Sequence, residues 1–350
     1  FLTVLLNRRN RLIKNKIKIM NLIIPMAGMG KRMRPHTLSI PKPLIPVAGK
    51  PIVQRLVEDI ACVCKQNIDE IAFIIHPSFG KDVEQMLLNI AKSLGATGKI
   101  CYQEEPKGTA HAILCAGDSL RDNVVVAFAD TLFIADFNLD TTKDSIIWVQ
   151  KVADPSAFGV VKLNNEGMIT DFVEKPKEFV SDLAIIGIYY FKDGKNLRAE
   201  LQYLIDNNVI KGTEYQLTDA LENMKNKGLK FYTGQVNEWL DCGNKNATVQ
   251  TNQRVLVNCG SEISKEAEIV SSQIIEPCCI AKGAKIVNSV VGPYVSVGEG
   301  TEILNSVVSN SIIQTNSVLS NVNITNSMVG NSVKMQKTAE ELSVGDYNEL

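Results

Sequence analysis

Beyond residue 259 the chain keeps a spacing that very few folds accommodate. Isolated aliphatics recur every five or six positions, at Ile280, Ile286, Val291, Val297, Ile303, Val308 and Ile313. An Asn-Ser-apolar triplet recurs at 288, 305, 310, 316, 326 and 331, and Asn288-Ser289-Val290-Val291 returns seventeen residues later as Asn305-Ser306-Val307-Val308. One inward aliphatic per flat face, with three faces per turn, is the pattern of a parallel β-helix. A β-sandwich is the alternative, but its strands should alternate over longer runs. The β-helix is placed at 259–333, with 334–350 a polar tail that frays.

Residues 20–245 follow a different rule. The runs Leu22–Pro25, Glu70–His76, Ile100–Gln103 and Val124–Ala129 have the near-continuous hydrophobicity of buried parallel strands. Amphipathic helices are predicted between them. Over 51–66, Pro51 takes the first helical position and Ile52, Leu56, Ile60 and Val63 share a face. Over 81–94, Val83, Met86, Leu87, Ile90 and Leu94 do the same, and Gly95 stops the helix. This alternation predicts an α/β fold with a Rossmann-like, doubly wound mixed sheet. From 145 to 191 the runs SIIWVQKV, FGVVKL, MITDFVEK and IIGIYYF predict an antiparallel extension that walls off a substrate pocket. Residues 246–258 are read as a linker between head and tail.

Composition removes several function classes. A chain of 350 residues can bury two cores. Its 37 basic and 38 acidic side chains give a net charge of −1, which offers no global attraction for nucleic acid. No apolar run approaches the ~18 residues that span a bilayer, so no membrane partner is expected. The eight cysteines include no C-x-x-C pair, and only three histidines (36, 76 and 111) exist, so a zinc site has little to work with. Scattered cysteines in a chain of this size fit reduced thiols and a cytoplasmic location. Residues 1–19 hold six basic side chains and no acid, and their apolar stretch precedes the basic one, the reverse of a secretory signal. Met20 is read as the natural start and 1–19 as upstream, non-native sequence; a basic arm on a membrane surface is the alternative.

The stretch 22–51, LIIPMAGMGKRMRPHTLSIPKPLIPVAGKP, carries the most chemistry. A buried strand ends at Pro25 and opens into Ala27-Gly28-Met29-Gly30-Lys31-Arg32. Gly28 and Gly30 let main-chain amides approach a phosphate chain closely. Lys31, Arg32 and Arg34 follow directly, and Lys42 comes after Pro41. Cations beside a glycine loop after the first strand fit triphosphate binding. A lone G-x-G would more simply be a turn. The full string G-x-G-x-R-x-x-P-x-T-x-x-x-P-K-P-L-x-P closely resembles the signature of the sugar-1-phosphate nucleotidylyltransferases, the NDP-sugar pyrophosphorylases, and the resemblance runs from Met20 to about Lys245. The tail is similar to the left-handed, hexapeptide-repeat β-helix of longer members, in a degenerate form. The resemblance implies that Arg32 stabilises the pyrophosphate leaving group, that Lys42 contacts phosphate, and that Ala27, Gly28, Gly30 and Lys31 surround the nucleotide. Met29 replaces the usual second glycine, and Lys31 replaces a small residue.

Further motifs follow in the family's order. Gln103 and PKGTAHAIL (106–114) resemble the base-recognition segment, in which a Gln side chain and groups around the glycine, here Gly108 and Thr109, read the nucleobase. The same residues also fit a helix N-cap at Thr109 with His111 on the surface. VVVAFADTLF (124–133) ends a buried strand at Ala129-Asp130, which places an acid where ligands bind in open α/β sheets. The resemblance makes Asp130 a Mg²⁺ ligand, with Ala129 in place of glycine. Phe158-Gly159-Val160-Val161 and Glu174-Lys175-Pro176 resemble the sugar-phosphate side. There Glu174 bonds sugar hydroxyls, Lys175 holds the 1-phosphate, and Gly159 and Gly187 line the pocket. GTEYQLTDAL (212–221) resembles an E-x-x-L-T-D helix start, although Glu214 to Asp219 could simply cap that helix. Trp239-Leu240-Asp241-Cys242-Gly243 resembles W-x-D-x-G, whose acid, Asp241, is the second metal ligand.

The implied reaction joins an NTP and a sugar 1-phosphate into an NDP-sugar and pyrophosphate by in-line displacement, which depends on positioning and charge neutralisation. Carboxylate ligands suit Mg²⁺ as cofactor. The head is most similar to long glucose-1-phosphate thymidylyltransferases, so dTTP and glucose 1-phosphate are the expected substrates; UTP- and GTP-dependent relatives share most of the motifs. A non-catalytic regulatory paralogue is a second reading. Acyl transfer in the β-helix is a third, but that chemistry usually employs a histidine base and the tail has none. The tail is instead expected to join copies of the chain into a homo-oligomer, because a short β-helix ends in unpaired edges.

Overall fold

The computed structural model describes residues 20–136, 139–210, 213–338, 341–347 and 349. The reading of residues 1–19, and Gly212 of the 212–221 motif, lie outside the described residues. Two compact units form. The first comprises Phe1–Lys31, Thr37–Pro43 and Ile52–Trp239; the second comprises Arg32–His36, Leu44–Pro51 and Leu240–Leu350. Among the described residues no helix is long and apolar enough to cross a membrane.

The first unit is built on a nine-stranded sheet. Its strands are β1 (Met20–Pro25), β2 (Ile68–Ile75), β3 (Thr97–Tyr102), β4 (Asn123–Ala127), β5 (Ser145–Lys151), β6 (Gly159–Leu163), β7 (Ile169–Glu174), β8 (Leu183–Phe191) and β9 (Phe231–Gln235). They run in the order β7-β6-β8-β4-β1-β2-β3, and β5 pairs with both β8 and β9. β4, β1, β2 and β3 are mutually parallel, whereas β8 is antiparallel to β4, β5 and β6. Every residue of β1 and β4 is buried, which is why their sequences are apolar without alternation. The predicted Rossmann-like mixed sheet and its antiparallel extension are both present.

Two helices depart from their predicted faces. α1 (Ile52–Cys64) buries Ile52, Val53, Leu56, Val57, Ile60 and Cys64. Pro51 is not its first residue but pairs with Pro46 in a two-residue strand. α2 (Lys81–Ser93) buries Leu87, Ile90 and Ala91, while Met86 is 40% exposed. The face turns away from Met86 because the helix packs over Gly98, where an added Cβ would lie 2.8 Å from Leu88 and 3.1 Å from Ala91. Three further helices belong to the unit: α3 (Thr109–Leu114), α4 (Gly194–Asp206) and α5 (Leu217–Asn226).

In the second unit the span read as a linker is a helix, α6 (Lys245–Cys259), started by Asn244, whose Oδ1 accepts from the Ala247 N–H at 3.0 Å. Its buried Asn252 accepts from the Ala48 N–H at 2.8 Å and the Ser296 hydroxyl at 2.6 Å, and donates to the Tyr294 carbonyl at 3.2 Å. One amide thus ties the helix to the 44–51 segment and to the tail.

The tail folds as a left-handed parallel β-helix with three sheets of five, five and four short strands. All seven aliphatics from Ile280 to Ile313 are 2% exposed or less. Coils repeat every 17 and then 16 residues: Ile286 pairs with Ile303, and Ile303 with Leu319. The Asn-Ser repeat has a physical cause at the corners. Asn288 and Asn305 both adopt φ +47°, a left-handed turn that Asn tolerates. The serine that follows links coils, since Ser289 Oγ accepts from the Ser306 N–H at 3.0 Å and Ser306 Oγ accepts from the Val322 N–H at 3.1 Å. A strand at Lys334–Gln336 continues the stack into the segment read as a fraying tail.

Candidate active site

In the first unit, the loop after β1 carries Ala27, Gly28 and Gly30 at the carboxyl end of a central strand. Gly28 meets nothing within 4 Å of an added Cβ, so its space lies open to a ligand. Gly30 is constrained: its φ is +57°, an added Cβ would lie 2.9 Å from Lys42 Cβ, and its carbonyl accepts from Thr37 Oγ1 at 2.9 Å. Lys31 is exposed beside it. Lys42 is buried, and its ammonium lies 3.0 Å from Asp130 Oδ2. Asp130 lies in the turn after β4, and its side chain remains 46% exposed.

At the end of β3, the Gln103 N–H donates to the Ile75 carbonyl at 2.9 Å, and its side-chain nitrogen donates to the Gly108 carbonyl at 3.2 Å. Gly108 has φ +107°, and an added Cβ would lie 2.5 Å from the Tyr215 carbonyl, so only glycine fits. The Thr109 N-cap reading is corrected. Gly108 precedes α3 without a side-chain cap, and Thr109 Oγ1 instead accepts from the Leu217 N–H at 3.0 Å, serving α5 from 108 residues away. Gln216 stands at the N-cap of α5 without a side-chain bond of its own. His111 is not simply a surface residue. Its Nδ1 lies 3.0 Å from the Gln103 amide nitrogen, and burial first, then Lys107, pull its pKa below the usual value.

On the sugar-phosphate side, Glu174 pairs with Gly159 across β7 and β6, and its Oε2 would lie 3.1 Å from a Cβ at Gly159. Lys175 adopts φ +41° and places its ammonium 3.7 Å from Glu174 Oε1. Burial is the main cause that raises the Glu174 pKa; Lys175 opposes it, while Asp219 and Glu214 add to it. Gly187, at φ +88°, offers its carbonyl to the Phe128 N–H at 3.0 Å, two residues before Asp130. Trp239 donates to Thr131 Oγ1 at 2.6 Å and meets Phe158 edge-on at 4.9 Å, a support that the W-x-D motif did not disclose.

In the second unit, Arg32 is exposed, and the neighbouring Met33 is fully buried with its sulfur 3.7 Å from Thr248 Oγ1. Asp241 Oδ1 accepts from the Gly243 N–H at 2.9 Å, and its carbonyl accepts from Thr251 Oγ1 at 2.7 Å. An added Cβ at Gly243 would lie 2.9 Å from Asp241 Oδ2, so a larger residue there would displace that carboxylate. Among the described residues no three His, Cys, Asp or Glu gather into a metal-ligating group. Asp130 and Asp241 are carboxylates, the hard oxygen donors that Mg²⁺ takes.

A profile of the nucleotidyl transferase family matches residues 22–258. The chain is 32% identical over 272 residues to the bifunctional protein GlmU of Methanococcus maripaludis strain C7, covering 75% of this chain and 62% of that protein. It is 34% identical over 191 residues to the mannose-1-phosphate guanylyltransferase catalytic subunit beta of Drosophila melanogaster, covering 51% of this chain and 50% of that one. A crystal structure from Bacillus anthracis, assigned as a glucose-1-phosphate thymidylyltransferase and holding sucrose, matches with a TM-score of 0.55 and 25% identity over 67% of this chain and 94% of that one. The chain spans about three fifths of the length of the first curated relatives it matches. With the profile covering most of the head, the chain belongs to the sugar-1-phosphate nucleotidyltransferase family.

Proposed function

We propose that the protein transfers a nucleotidyl group from an NTP to a sugar 1-phosphate, releasing pyrophosphate. The observation that carries this reading is the buried Lys42 held 3.0 Å from Asp130 beside the glycine loop. A cation fixed at the carboxyl end of the central strands is charge placed in advance for a triphosphate. An oxygen of the sugar 1-phosphate attacks the α-phosphorus in line; the bond to the bridging oxygen breaks, and pyrophosphate leaves with its electron pair. Lys42 balances phosphate charge, Arg32 meets the charge developing on the leaving group, and Lys175 screens the 1-phosphate. Glu174 orients the sugar hydroxyls. Mg²⁺ held by Asp130 and Asp241 would neutralise phosphate charge.

The names of the relatives include a guanylyltransferase and a thymidylyltransferase. dTTP with glucose 1-phosphate is the pair favoured here, on the resemblance of the head's motifs to long glucose-1-phosphate thymidylyltransferases. Pyrophosphate release across dTTP, UTP and GTP, each with glucose, N-acetylglucosamine and mannose 1-phosphates, tests the choice; a preference for another pair replaces it. We further propose a cytoplasmic enzyme whose β-helix joins copies of the chain. Light scattering on the full chain reads that directly, and a monomeric mass refutes it.

A further inference from the structure

The Gln103 amide is held by two acceptors. Its nitrogen donates to the Gly108 carbonyl at 3.2 Å and lies 3.0 Å from His111 Nδ1. A carbonyl only accepts, so the amide nitrogen and not its oxygen faces Gly108. The second N–H is then left for His111, which accepts it only when Nδ1 carries no proton. Gln103 is 7% exposed, so water offers neither N–H an easy alternative. Among the described residues nothing bonds Oε1, which leaves that oxygen as the side chain's free acceptor.

We propose that His111 is a positioning residue for base selection: by accepting from Gln103 it fixes Oε1 toward the nucleobase as an acceptor and favours bases whose ring nitrogen carries a hydrogen. This rests on the reading of Gln103 as the base-contacting residue. Uracil, thymine and guanine present a ring N–H to that oxygen. The corresponding nitrogens of cytosine and adenine are acceptors, and two acceptors face to face leave both unpaired away from water. The groups around the imidazole are Lys107, Glu105, the Cys115 thiol 4.0 Å from Nδ1, and Cys101 and Tyr215 beyond them. Burial and Lys107 outweigh Glu105 and keep the ring neutral at pH 7. Protonation at lower pH turns Nδ1 into a donor facing a donor, so the amide loses its fixed orientation.

Equilibrium binding of UTP, dTTP, GTP, CTP and ATP to the full chain tests this, using wild type, His111→Phe and His111→Asn. Wild type should bind the ring N–H nucleotides at least about tenfold tighter than CTP and ATP at pH 7.5, and the ratio should shrink once the pH falls low enough to protonate the imidazole. His111→Phe, which has a ring but no acceptor, should lose about tenfold of that ratio, and His111→Asn, which keeps an acceptor, should recover most of it. If His111 were only structural, His111→Phe would weaken all five nucleotides alike and leave the ratio unchanged, which overturns the proposal. Equal binding of all five, or no binding of any, overturns it too. Selective binding without turnover would refute the transferase reading and leave this inference standing.

Discussion

The Lys42 ammonium and the Asp130 carboxylate meet at 3.0 Å across 88 residues of chain, with side-chain exposures of 9% and 46%. The pair is lopsided: the cation is enclosed and the anion faces water. Removing Asp130 strands a buried charge, whereas removing Lys42 leaves a carboxylate that water still reaches. Asp130→Ala should therefore destabilise the fold by about 2 kcal/mol, below the 3–5 of a fully buried pair because Asp130 is half solvated. Lys42→Met should cost less than about 1 kcal/mol. Urea denaturation of both variants gives the comparison, and equal losses would contradict the asymmetry.

Activity should show the opposite balance at Lys42. Lys42→Met should lower kcat/KM by about 10²–10³, the usual loss when one charge-stabilising donor is removed. Gly30→Ala should approach that defect without touching a charge, because its Cβ would press on Lys42 Cβ from a backbone at φ +57°. Steady-state pyrophosphate release checks both variants; wild-type kinetics in Gly30→Ala would contradict the placement of Lys42.

Glu174 should make stability fall with rising pH. Burial lifts its carboxyl above the usual value of 4.5, so the folded chain holds that proton more tightly than the unfolded chain. The contribution is complete below the unfolded value and is lost as pH rises through the folded one. Glu174→Gln should therefore raise Tm at pH 7 and have little effect near pH 4, while raising KM for sugar 1-phosphate about tenfold. Thermal melts at the two pH values decide it; an unchanged Tm difference would refute the burial account.

The sequence disclosed what depends on local pattern. β1 and β4 are buried on both faces, so their apolar runs stand out, and the β-helix shows one inward aliphatic per face. α6 stayed hidden because its buried side includes Thr248, Thr251 and Asn252, polar groups that break the periodicity. Lys42 and Asp130 were each marked by motif, but their pairing is tertiary. Thr109 serving α5 was invisible for the same reason. His111 sat inside a recognised motif, yet only the position of Gln103 gives it a role.

Mg²⁺ dependence should run through both acids. Asp130→Asn and Asp241→Asn should each lower kcat by at least about 10², with no recovery when Mg²⁺ is raised, and EDTA should silence the wild type. Near-normal kcat in either variant at saturating Mg²⁺ would remove that residue from the ligand set.

The central claim is tested most directly by incubating the full chain with dTTP, glucose 1-phosphate and Mg²⁺ and following pyrophosphate and the nucleotide sugar together. The account predicts the two products in equal amounts, formed only when both substrates are present, and slowed by about 10²–10³ in Lys42→Met. Pyrophosphate released without sugar phosphate, or no nucleotide sugar from any NTP and sugar 1-phosphate combination, would contradict it.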